Sequence, residues 1–240
     1  MCDKAVSDEA LCDKAVYDEA RMTPPAGRGA HVDSLSDREL FELMKELAAA
    51  TGDPASAGRA TEVVEVGLAR WGDDLAQACL RGGAQRGNGA DYFLPACHGY
   101  VMAADTLLHV AAAAHATAAC ERLLVAGAEV GARNRRKATP LHSVCAGSPE
   151  TLLHDEVEQV ATARLLLAAG ADLDACAAGG VTPLHRAVRN RCTALVALLL
   201  EAGADRDLRT SRGSTALRLA GVDSGRPGVG SELARAAQLR

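Results

Sequence analysis

Apolar and polar positions alternate with a helical period along most of the chain. After Ser36, Leu40, Phe41, Leu43, Met44 and Leu47 fall on one helix face, the pattern of a surface helix with one buried stripe. Ser36 and Glu39 precede that stripe as a capping box, each side chain satisfying an orphan backbone N–H, and Gly52 supplies the stop. Residues 61–84 carry a weaker pattern. Leu68-Ala69-Arg70-Trp71-Gly72 reads as a first helix and turn, and Leu75, Cys79 and Leu80 before Gly83-Ala84 as a second helix with its stop. Beyond residue 102 the helices come in pairs, over 103–135, 136–178 and 179–211. In the first pair Leu108, Ala111 and Ala112 lie on one helix, Leu123 and Leu124 on the other. A fourth unit opens at Gly213-Ser214-Thr215-Ala216-Leu217. It departs through Gly221, Gly225, Pro227, Gly228 and Gly230, before a short helix from Ser231. The expectation is an all-α protein.

The pairs are copies of one stretch. T-P-L-H stands at Thr182–His185 and Thr139–His142, T-L-L-H at Thr106–His109, and T-A-L-R at Thr215–Arg218, so the threonines step by 33, 43 and 33. The glycine of a G-A-[DE] triplet falls at Gly127, Gly170 and Gly203, each 12 residues before the next threonine. Thr and Pro suit a helix start, because proline lacks an N–H that would be orphaned there. Gly203 and its equivalents allow the left-handed turn that ends the second helix. Asp172 and Asp205 suit the following turn, and Gly180 and Gly213 complete the next. Lys137 at the matching place predicts a looser turn or one of another type.

A 33-residue period with T-P-L-H and L-L-x-x-G-A-D resembles the ankyrin-repeat proteins, over residues 103–220 and more loosely from about 60. Residues 96–114 (A-C-H-G-Y-V-M-A-A-D-T-L-L-H-V-A-A-A-A), with 182–192 and 213–220, look like small stand-alone bacterial members. Departures are Ala104 and Lys137 for glycine, Leu107 for proline, and a short final helix that weakens a C-terminal cap. The resemblance implies a solenoid of about four to five helix-turn-helix repeats with an N-terminal capping helix and a degenerate C-terminal cap. It also implies structural roles for His109, His142 and His185, each bonded near its helix start and to the adjacent loop. The expected division is a tail with linker at 1–33, a capping helix at 34–60 and the repeat domain at 61–240. Within that domain come a degenerate repeat at 61–102, repeats at 103–135, 136–178 and 179–211, and a cap at 212–240. The tail holds a ten-residue duplication, M-C-D-K-A-V-S-D-E-A then L-C-D-K-A-V-Y-D-E-A. Two inserts break the period, one at 85–102 and one of ten residues around 147–156.

Composition narrows the picture. Hydrophobic residues are 48% of the chain and aromatics 2%, so alanine, leucine and valine pack closely stacked small helices. The net charge of −5 gives no electrostatic reason to bind nucleic acid. The first residues carry Asp3, Lys4, Asp8 and Glu9 without an apolar core, so no secretory signal is expected. The Ala-rich run 110–119 is interrupted by His115, so no membrane span is expected. Eight cysteines without a C-x-x-C pair suit a reducing cytoplasm. The in-register histidines lie a repeat apart and cannot converge on a metal. Cys97-His98 is the one adjacent Cys/His pair, and it too is read as no metal site. With no hydrolase, phosphate-loop or metalloprotease motif in the chain, neither a catalytic residue nor a cofactor is assigned.

Binding is therefore expected where the copies break register. Family members hold protein partners on a concave surface of turn tips and first helices. Here the tip Arg133-Asn134-Arg135-Arg136-Lys137 carries four positive charges, the next carries Asp172 and Asp174, and the one after it mixes Arg206, Arg209 and Arg212 with Asp205 and Asp207. Tyr92, Phe93 and Tyr100 in the first insert offer contact area. Either they meet a partner or they fold back to seal the imperfect first repeat. The candidate partner-binding set is Tyr92, Phe93, Tyr100, Arg133, Arg135, Arg136, Lys137, Arg206 and Arg209. The expected molecule is a non-enzymatic cytoplasmic monomer that binds a protein, with neither nucleic acid nor membrane as partner. Its rivals are an effector aimed at a host protein and a regulatory or chaperone subunit of a neighbouring enzyme.

Overall fold

The computed structural model describes residues 35–50, 57–80, 92–94, 99–145 and 155–220, all within one compact unit, Ser34–Arg240. The duplicated tail, Gly52, Gly83, Cys97-His98, most of the second insert and the helix expected from Ser231 lie outside the described residues. The elements are α1 (Asp37–Ala49), α2 (Ala57–Trp71), α3 (Asp73–Gln77), β1 (Tyr92–Leu94), β2 (Gly99–Val101), α4 (Leu107–Ala113), α5 (Thr117–Val125), α6 (Pro140–Val144), α7 (Glu156–Ala168), α8 (Pro183–Arg189), α9 (Thr193–Glu201) and α10 (Ala216–Leu219). The structure is predominantly helical. The expectation of helices alone is corrected by β1 and β2, an antiparallel pair within the first insert.

The capping box at Ser36 forms, with Ser36 Oγ accepting from Glu39 N–H and Glu39 Oε2 accepting from Ser36 N–H. Every residue of the predicted α1 stripe is buried. Residues 68–72 are not a first helix and turn, as their glycine suggested. They are the end of the 15-residue α2, closed where Gly72 takes φ +61° and donates its N–H to Leu68 O. Inside α2, Gly67 lets Leu75 pack flush on the helix: a Cβ there would lie 2.6 Å from Leu75 Cδ2.

Two rows of helices stack. The inner row runs α1, α4, α6, α8, α10 and the outer row α2, α5, α7, α9, each helix touching the next in its row. Between the rows Leu108, Leu123, Leu141, Leu166, Leu184, Leu195 and Leu199 are fully buried, each worth about 1.5–3 kcal/mol on leaving water. Alanines 111, 112, 119, 163 and 187 are buried too, which allows the close approach expected of a chain so poor in aromatics.

The turns joining successive helix pairs are stitched edge to edge. Arg135 N–H donates to Ala103 O (2.8 Å), Ala178 N–H to Arg136 O (2.7 Å) and Ser211 N–H to Gly179 O (2.8 Å). Lys137 does not loosen its turn. It takes φ +57° beside Gly180 at +67° and Gly213 at +73°, and its N–H reaches Asn134 O at 2.7 Å as theirs reach Ala177 O and Thr210 O. The backbone hydrogen bonds dictate the conformation, and the lysine side chain accepts it. The same pairing locates the first insert. Leu80 N–H donates to Asp105 O and Ala104 N–H to Leu80 O, as Asn134 N–H donates to Ala138 O and Lys137 N–H to Asn134 O. Leu80 and Ala104 therefore occupy the places of Asn134 and Lys137, with the hairpin grown out of the tip between them. Cys79, read as part of a helix, lies in an extended bridge with Thr106.

Candidate functional site

The tips and the inner helices share one face, and the structure fixes their relation through three histidines. The Nδ1 atoms of His109, His142 and His185 accept the backbone N–H of Thr106, Thr139 and Thr182 (3.2, 3.2 and 3.3 Å). The threonine hydroxyls lie 2.9, 2.9 and 2.8 Å from the same nitrogens. An Nδ1 that accepts leaves the proton on Nε2, which donates to Ala138 O, Val181 O and Ser214 O at 3.1, 3.0 and 3.2 Å. Each histidine thus bolts its own helix start to the following tip. Burial first of all lowers the pKa of all three, that of His142 to about 4, so they stay neutral. Among the described residues no group of His, Cys, Asp or Glu is arranged to hold a metal ion.

The hairpin and the basic tip, separate candidates in the sequence, are brought together. Asn134 is the buried hub between them. Its Nδ2 donates to Asp105 Oδ1 (2.9 Å), while its Oδ1 accepts from the N–H groups of Arg136 and Ala138 (both 3.0 Å). Asp105 Oδ2 in turn accepts Met102 N–H, directly after β2. In the hairpin Tyr92 is paired with Val101 and Phe93 with Tyr100. Val101 is buried.

Arg133, Arg135, Arg136, Lys137 and Arg209 are exposed and Arg206 is half-buried. Two of these already serve the fold. Arg133 Nη1 donates to Cys176 O (2.9 Å) and Lys137 O (3.4 Å), and Arg209 Nη1 donates to Gly213 O (3.1 Å). Equivalent arginines brace equivalent turns. Arg206 and Arg209 belong to the fourth tip, beyond the acidic third tip of Asp172 and Asp174, and are not brought to the hairpin. In the third tip Asp174 Oδ1 accepts Asp205 N–H (2.9 Å), so that carboxylate is partly occupied.

Sequence reasoning missed Arg186. It follows the T-P-L-H motif on α8 and reaches back across the inner row, its Nη1 donating to His142 O at 3.0 Å. Periodicity marks position 186 as inner-helix surface, but only the structure shows what the guanidinium meets.

On the inner row α6 is only five residues long, and neighbours cap the carbonyls at its end. Val144 O accepts from His115 Nε2 (3.2 Å) and Gln159 Nε2 (2.9 Å), and Cys145 O from Asn190 Nδ2 (2.6 Å). No helix among the described residues is long and apolar enough to cross a membrane.

A family model described as ankyrin repeats (3 copies) matches residues 108–210 and 153–234. No curated protein matches the chain.

Proposed function

The chain belongs to the ankyrin-repeat family, and from that premise we propose that it is a non-enzymatic module binding one protein partner. Such repeats are generally protein–protein interaction modules. The binding surface in this reading is the concave face of tips and inner helices, extended by the hairpin of the first insert. One observation carries it. Arg135 N–H bonds Ala103 O at 2.8 Å, which supports reading the hairpin and the basic tip as neighbours on one binding surface. Phe93 stands opposite Tyr100 in that hairpin, and aromatic residues supply large contact area at low entropic cost. Arg135, Arg136 and Lys137 supply charge beside it. Tyr92 and Arg133 complete the near set, and Arg206 and Arg209 a more distant one.

In the same reading α1 caps the N-terminal end of a stack of four to five repeats, and residues 212–240 form a degenerate C-terminal cap. Residues 1–33 form a separate tail, and the protein acts as a cytoplasmic monomer without cofactor, nucleic acid or membrane. Affinity capture from lysate tests the site, using the whole chain, Tyr92→Ala/Phe93→Ala and Arg135→Glu/Arg136→Glu. Each double variant is expected to fold normally and to lose the partner that the unaltered chain captures. If both fold and both keep every partner, the site assignment is wrong.

A further inference from the structure

Arg186 is held where its own fold does not satisfy it. Nη1 is engaged by His142 O, but the buried Nε–H has no acceptor among the described residues. An unmet buried donor is costly to the fold. The surrounding charge adds to the burden. Burial first of all pulls the guanidinium pKa below its ordinary value; Cys145 opposes it, Arg189 and Arg136 add to it, and Asp105 opposes them. Arg133 belongs to the same field, acting with Arg186 on His142. The carboxylate of Asp105 is itself held by Asn134 and Met102 N–H. A half-buried guanidinium with an unused N–H, standing among other cations, is what an anion-receiving site requires.

We propose that Arg186 anchors a carboxylate from an acidic peptide segment of the protein partner, on the inner-helix face beside the second tip. This rests on the protein-binding reading above. Turning the outer torsions of Arg186 toward solvent carries Nε–H and an Nη–H to the carboxylate as a planar fork and removes the orphan donor. Arg189 and Arg136, both exposed, supply the longer-range attraction. A peptide fits better than a polyphosphate backbone because the adjoining tip presents Asp172 and Asp174 and the chain carries a net charge of −5, which repel densely charged polyphosphate more strongly than carboxylates spaced by neutral residues.

The test is calorimetric titration of the full chain with a peptide of alternating Glu and Gly, its Gln-Gly counterpart, and inorganic phosphate, at low and physiological salt. The Glu peptide is expected to bind, more weakly as salt rises, and the Gln peptide not to bind. Arg186→Gln should weaken binding roughly tenfold or more, and Arg186→Lys nearly as much, since an ammonium lacks the fork. Arg189→Gln should weaken it roughly twofold to fivefold. Thermal melting checks that each variant folds, and if Arg186→Gln does not, Arg186→Lys decides. Unchanged affinity in the folded Arg186 variant overturns the proposal. So does phosphate binding without peptide binding, or failure of the unaltered chain to bind the Glu peptide. Capture from lysate separates the two readings. Partners lost with Tyr92→Ala/Phe93→Ala but kept with Arg186→Gln sink the anchor and leave the module standing, whereas a chain that captures nothing sinks the module.

Discussion

At the scale of single residues, two kinds of position shift the stability of this stack by a calculable amount. Lys137 sits at φ +57°, where an L side chain costs about 1–2 kcal/mol, and glycine's extra unfolded-chain entropy recovers about 0.5–1 of that. Lys137→Gly is therefore expected to stabilise the protein by about 0.5–1 kcal/mol in urea unfolding, and destabilisation would mean the lysine side chain holds the turn. The histidines work in the opposite sense. His142 stays neutral in the fold down to about pH 4, whereas an unfolded imidazole takes its proton near pH 6.5. Between those values the unfolded chain binds more protons, so stability rises with pH. The contribution is complete above about 6.5 and is lost as the pH falls toward 4, a change on the order of 3 kcal/mol. His109 and His185 are lowered in the same direction. Urea midpoints measured from pH 7.5 down to pH 4, with the imidazoles followed by NMR, would show this slope. A flat profile would mean that the Thr–His–carbonyl bolts do not form as described.

At the scale of elements, what was legible is what lies within one repeat. The α1 stripe, the capping box, the T-P-L-H helix starts and the glycine stops depend on neighbours a few residues away, and local spacing records them. The inserts depend on partners far along the chain, and there the pattern misled. Trp71-Gly72 has the local look of a first-helix turn, yet α2 packs against α5 and so belongs to the outer row. The insert read as 85–102 starts directly after Leu80, because Leu80 pairs with Ala104 and Asp105 across 24 and 25 positions. Asn134 was one letter in a run of arginines, and nothing local distinguishes it from a solvated loop residue. Its carboxamide makes four hydrogen bonds, one of them to Asp105, 29 residues away, and one to Met102 Sδ. Asn134→Ala should cost about 2–3 kcal/mol, since it strands Ala138 N–H and removes one hydrogen bond from a buried carboxylate. Hydrogen exchange should then quicken at Met102 and Asp105 before it does at α8. Uniform quickening would show that Asn134 supports the whole stack and not the hairpin foot.

At the scale of the whole stack, contacts run between adjacent helix pairs, so stability is close to a sum over neighbours and one tip can be remade without dissolving the rest. That makes the hairpin separable from the fold. Leu80 and Ala104 meet as Asn134 and Lys137 do, and the second tip spans that gap with two residues, Arg135 and Arg136. Replacing residues 81–103 by two residues should leave a folded stack. The expected loss is about 2 kcal/mol or less, the worth of burying Val101, because closing a shorter loop changes the entropy little. Partner capture should fall with the hairpin, while binding of the Glu peptide through Arg186 should persist. Circular dichroism, urea unfolding and the two binding assays on this one variant separate the roles. Collapse of the fold would mean that the aromatic insert seals the first layer, the other use of Tyr92, Phe93 and Tyr100. A folded variant that keeps its partner would place the binding energy on the inner helices and basic tip alone.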